Sequence, residues 1–205
     1  MSSFLIQFLL ITVFALSFSI ACAEEREFGE PRSAMAALLD AARAGDAAGV
    51  AKRLYADDQN DRFALQLVAD IAVARMKFES MVLNKFGENA TRTVYLLPAL
   101  PASPVAGAKQ TIDGDRAVIV TGQAPDETRL VLLKRDGVWC VPVSAIAPRP
   151  ENAEVHEVGT RYGEMVTAIE ETTEEVKRGL FVSADAATQT ARVRLTDAAT
   201  GKFVQ

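Results

Sequence analysis

Histidine and cysteine are almost missing from this chain: one His and two Cys stand among 205 residues. Zinc centres draw their ligands mostly from those two residue types. His156, Cys22 and Cys140 cannot furnish the common sets, and no EF-hand spacing of carboxylates takes their place. His156, beyond the Pro-rich break at Ala147-Pro148-Arg149-Pro150, reads as a surface-loop residue. Basic clusters are missing too. The net charge is −5, and no run of Lys and Arg offers a track for a phosphate backbone, so nucleic acid is not an expected partner. Gly107 to Thr111 and Thr200-Gly201-Lys202 hold fragments of a phosphate loop without its full pattern, and no serine sits in a Gly-x-Ser-x-Gly setting. No cofactor and no metal are expected.

Long apolar runs are scarce as well. One stands out, Phe4 to Ala21, and Ala21-Cys22-Ala23 after it fits the small-x-small pattern of signal cleavage. Glu24-Glu25-Arg26 then opens a polar stretch. Three fates follow, in order of preference. Cleavage near Ala23 gives a periplasmic or secreted protein. Lipidation of Cys22 gives an anchored lipoprotein, since Ser19-Ile20-Ala21-Cys22 resembles a lipobox with Ser19 in place of the usual Leu. Retention leaves an N-terminal anchor. Cleavage leaves Cys140 as the single cysteine, so the exported body has no internal disulfide and relies on its core. Cys140, between Trp139 and Val141, reads as a small buried hydrophobe.

What is present is globular: 49% hydrophobic and 24% charged residues. Ser33 is a candidate cap for a helix through Ala34, Leu38 and Ala42, ended by Gly45; Asp46 caps a short second helix through Val50 and Leu54. Phe63 to Phe86 is the longest helix. Its stripes, Phe63-Leu67-Ile71-Ala74-Phe78-Val82 and Leu65-Ala72-Met76-Leu83, leave only a narrow polar line through Gln66, Asp70, Lys77 and Asn84. Such a helix is buried on two sides. Thr91 to Leu97 reads as an outer strand. Lys109 to Ser144 reads as a four-stranded meander with turns at Asp113-Gly114-Asp115 and Asp136-Gly137. Both of its faces are apolar, so each needs a cover: helices on one, a further helix or a second protomer on the other. Pro142 implies an edge or a bulge. Beyond it, an amphipathic helix from about Thr160 carries an acidic face, Glu164 to Glu175, and alternation through Ala191, Val193 and Leu195 suggests a short strand. The fold class is therefore α+β: N-terminal helices packed on a curved antiparallel sheet, with an extra C-terminal helix.

Three stretches carry a family likeness. Leu38 to Tyr55, LLDAARAGDAAGVAKRLY, resembles the opening helical pair of the nuclear transport factor 2-like superfamily; Ile112 to Val118, IDGDRAV, resembles its hairpin turn; Leu130 to Val141, LVLLKRDGVWCV, resembles its strand–turn–strand. The resemblance implies a cone-shaped α+β domain over 33–146, after a signal peptide at 1–23 and before a C-terminal helix and tail at 147–205. It also implies a pocket between the long helix and the concave sheet. Isomerases, dehydratases, accessory domains and dimerisation modules share that architecture, so fold does not settle function.

Asp70, Tyr55 and Tyr95 are the candidate catalytic groups: Asp70 as a general base if burial raised its pKa, and the tyrosines as hydrogen-bond donors. The competing reading puts Asp70 on a solvated polar line and Tyr95 in packing. The expectation is thus an exported, non-catalytic module that binds a small apolar ligand or a protein partner. The alternatives are a small isomerase- or dehydratase-like enzyme, and a structural envelope protein that forms a homodimer through the sheet face.

Overall fold

The computed structural model describes residues 29–56, 59–87, 90, 105–121, 127–147 and 155–203. They form a mixed α+β fold in which helices pack on a curved five-stranded sheet. The candidate signal segment, the expected strand at Thr91 to Leu97, and Tyr95 lie outside the described residues.

Helix α1 spans Pro31–Ala44. It starts two residues before the expected cap Ser33, because Pro31 at the first helical position has φ preset for a helix and lacks only an N–H that would be unpaired there. Ala34, Met35, Leu38, Leu39 and Ala42 bury one face. Gly45 ends it in the left-handed region (φ 76°), and Asp46 N–H closes back on the Ala41 carbonyl at 2.9 Å. The Asp46 carboxylate then accepts from Gly49 N–H at 2.9 Å and so caps α2, Ala47–Ala51. Strand β1, Leu54–Tyr55, follows, and then the long helix α3, Gln59–Phe86.

The meander comprises β2 (Lys109–Asp113), β3 (Arg116–Thr121), β4 (Thr128–Arg135) and β5 (Val138–Pro142), in the order β1-β5-β4-β3-β2. Asp136 and Gly137 take the positive φ values, 50° and 85°, that match a tight hairpin to strand twist. Register puts Ala117 opposite Leu132 and Ile119 opposite Leu130, all buried on the face that α1 covers together with Trp139 and Val141. The opposite face, through Val118, Val120, Val131, Leu133, Val138 and Cys140, is only half-buried. At Pro142 strand β5 has a neighbour on one side only: β1 pairs with it in parallel (Tyr55 with Pro142), while the pairing with β4 ends at Leu133 and Cys140, so the residue stands at an edge on its β4 side. Val141 supplies the last N–H, to Arg53 O at 3.0 Å. The missing donor falls where the ladder stops and the one-turn helix α4, Val143–Ile146, begins.

Helix α3 is central, as its broad apolar girth requires. Val68, Ile71, Ala72, Phe78 and Val82 are buried between α1 and α2 on one side and α5, Val155–Arg178, on the other. Helix α5 begins earlier than Thr160, and the backbone of His156 lies in its first turn rather than in a loop. The expected strand near Val193 is instead the middle of helix α6, Ala184–Thr200. The alternation of Arg and apolar residues spans too few positions to decide. The longer series Ala184, Ala187, Ala191, Leu195 and Ala198 has helical spacing, is buried, and seats α6 on α5.

Candidate functional site

The small side chains of Ala42 and Ala44 and the bare Gly45 close α1 without filling the space above α3. A cleft of about 600 Å³ results between that helix end and residues 73–84 of α3. Val73, Met76, Met81 and Leu83 give it apolar walls, and Ser80, Lys77 and Asn84 stand along α3 as polar lining. The two methionines are unbranched and adaptable, which suits a wall that must fit more than one shape.

Glu79 also lines the cleft and is buried. It is held by the fully buried Arg75, one turn earlier, whose Nε donates to Oε1 at 2.7 Å. Burial pushes the Glu79 carboxyl above the usual carboxylate range, against the opposing pull of the Arg75 charge and hydrogen bond and of the Arg43 charge. Arg43 lines the cleft from α1 and also reaches Asp40 Oδ1 at 3.1 Å. The cleft thus offers an apolar body, a tethered carboxyl that resists ionisation, and cationic and amide groups.

The residues expected from sequence stand elsewhere. Asp70 is half-buried on α3, accepts from Gln66 Nε2 at 3.1 Å and does not line the cleft. Tyr55 lies in β1 with the Arg135 guanidinium 4.8 Å from its ring centroid, a cation–π stack at the sheet margin. The structure does not bring Tyr55 and Asp70 together in the cleft, and Tyr95 is outside the described residues. Arg75 and Glu79 lie off the polar line of α3 that the sequence marks through Gln66, Asp70, Lys77 and Asn84. Their signal in the sequence is two opposite charges four residues apart within the apolar girth.

Among the described residues, no group of three or more His, Cys, Asp or Glu is placed to hold a metal ion, and no helix is long and apolar enough to cross a membrane. Protein-family models, curated proteins and solved structures give no match to the chain.

Proposed function

We propose that the protein is exported and acts as a non-catalytic binding module that takes a small, largely apolar ligand in the cleft between α1 and α3. The observation that carries this reading is the cleft itself: about 600 Å³, walled by Val73, Met76, Met81 and Leu83, with its buried carboxyl already engaged by Arg75. The apolar segment before Ala23 supports export, with lipidation at Cys22 as the alternative. The order of two short helices, one long helix and a meander supports the likeness to the nuclear transport factor 2-like superfamily.

Native mass spectrometry of the protein from a bacterial periplasm tests this. The expected spectrum shows an N-terminus processed near Ala23 and a small retained mass. Ser80→Trp, which fills the cleft from an exposed position, releases that mass while leaving the fold intact. A retained mass that survives Ser80→Trp would place the ligand elsewhere.

A second reading is an isomerase- or dehydratase-like enzyme. Its support is the raised Glu79 carboxyl in the cleft wall, which displaces Asp70 as the acid–base candidate. Loss of turnover in Glu79→Gln with unchanged ligand retention would favour it. A homodimer through the half-buried face of Val118, Val131 and Leu133 is a third arrangement, and the same native spectrum reads its subunit count.

A further inference from the structure

Helices α3 and α5 run side by side in the same direction. Leu67 lies beside Gly159 near their starts, and a Cβ placed on Gly179 would stand 3.5 Å from Lys85 Nζ at their ends. Helix α6 begins at that same end. The turn between α5 and α6, Gly179 to Ser183, is tightly specified. Gly179 (φ 77°) donates to Val176 O at 3.0 Å and Leu180 donates to Glu175 O at 3.0 Å, while Ser183 Oγ accepts from Ala186 N–H at 3.2 Å. The first two bonds make a Schellman motif, in which the residue at the Leu180 position usually rests on an apolar residue three or four places before the helix end. Here those places hold Glu175 and Glu174, and Glu175 is engaged by Arg194. Leu180 therefore lacks the apolar contact usual in this motif and is 65% exposed. Phe181 turns inward against the core, and Val182, on its other side, is 95% exposed. Four large hydrophobic side chains are exposed among the described residues, and two of them crown this one turn.

The charges around the turn are specific. Lys177 and Arg178 close α5, and Lys85 closes α3. Their place at helix C-termini is favourable in itself, but that does not account for the apolar pair between them. Glu174 meets Lys177 at 3.4 Å, and Asp185 stands in the first turn of α6. At the turn itself the three cations outnumber these two acids by one, while the exposed Glu170 and Glu171 stand further back along α5, on a chain whose net charge is −5.

We propose that the α5–α6 turn is a membrane-docking tip: Leu180 and Val182 enter the headgroup region of an anionic lipid surface while Lys85, Lys177 and Arg178 face its phosphates. A convex tip with two apolar side chains between cations suits a lipid surface, which needs no matching groove. Two side chains and three cations give weak, reversible attachment that orients the body rather than anchoring it. The inference is independent of the cleft.

The test uses the full chain carrying Leu180→Trp. Its emission is read against Trp139, which is buried and changes little. Adding phosphatidylglycerol–phosphatidylcholine vesicles should shift the new emission to the blue and expose it to quenching by brominated acyl chains. Phosphatidylcholine vesicles should give a smaller shift, and high salt should reverse it. This readout is local, so attachment through the N-terminal apolar segment cannot imitate it. In the otherwise native chain, Leu180→Ser with Val182→Ser should weaken vesicle binding by about tenfold or more. Lys177→Glu with Arg178→Glu should weaken it several-fold, with unfolding curves unchanged. Emission at its aqueous position in vesicle-bound protein would overturn the proposal. So would a change in oligomeric state on tip substitution without any effect on vesicles, which would assign the tip to a protein neighbour.

Discussion

Arg194 grips Glu175 through both carboxylate oxygens, Nη1 to Oε2 at 3.0 Å and Nη2 to Oε1 at 2.9 Å, and Nη1 also donates to Thr172 Oγ1 at 3.1 Å. This fork fastens the second half of α6 to the last turns of α5. The side chains are 29% and 27% exposed, so the pair is screened in part and is worth less than a buried one. Arg194→Met should cost about 1 kcal/mol, seen as a lower urea midpoint with an unchanged slope. Arg194→Lys should recover little of it, because an ammonium cannot reproduce two parallel bonds. Full recovery with Lys would show that charge alone matters.

Arg75 and Glu79 pose a different balance, for the Arg75 side chain is fully buried and Glu79 is only 8% exposed, so water replaces a lost partner poorly. Removing one leaves a buried charge, and Arg75→Met should cost about 3–5 kcal/mol. Arg75→Met with Glu79→Leu should be far milder than the single change, because no charge is stranded. A double variant as unstable as Arg75→Met, measured in the same urea series, would contradict this account.

The raised Glu79 carboxyl also sets a direction with pH. The folded state holds the proton more tightly than the unfolded chain. Its contribution to stability is therefore fully present below the ordinary carboxyl range and is lost as pH rises through the folded value. Wild type should accordingly lose stability relative to Glu79→Gln as pH climbs from acid towards neutral. Unfolding free energies of both proteins across that window check the sign.

Gly49 inverts the usual rule for glycine in a helix. Replacement by Ala ordinarily gains up to about 1 kcal/mol. Here the new Cβ would collide with the Asp46 carboxylate, the cap of α2, and would stand 3.3 Å from Ala41 Cβ. Asp46 can swing away only by giving up the cap, a loss of about 1 kcal/mol. The helix gain and the cap loss about cancel, and the crowding against Ala41 Cβ decides the sign, so Gly49→Ala should destabilise slightly, with little further loss when Asp46→Ala is added.

Cys140 is half-buried, and burial raises its thiol above the ordinary range while the Arg135 charge pulls the other way. It should alkylate slowly at neutral pH and fast once unfolded. Arg135→Ala should slow it further in the native state, read by mass spectrometry against time.

The fold was legible wherever a periodic signal ran long enough. The girth of α3 through Ile71, Phe78 and Val82 declared a helix buried on two sides, and Asp136-Gly137 declared its hairpin. Short or contextual signals failed. Arg192 to Leu195 alternates like a strand, yet it is helical because Ala187, Ala191 and Ala198 fit against α5, a fit that depends on where α5 lies. Two-residue β1 carries no pattern of its own; Tyr55 becomes a strand because Pro142 stands beside it. The cleft was illegible for the same reason. It arises where α1 stops short above α3, and no single element encodes that gap.

The parallel pairing of Tyr55 with Pro142 also sets a timetable. During synthesis the first two helices and α3 emerge long before β5, so the strip that closes the sheet waits for the chain to reach Pro142. The second apolar side of α3 waits longer still, for α5. A nascent chain that has released α3 but not yet α5 therefore carries its central helix with one apolar side uncovered, a stretch of synthesis set by the distance in sequence between the two helices.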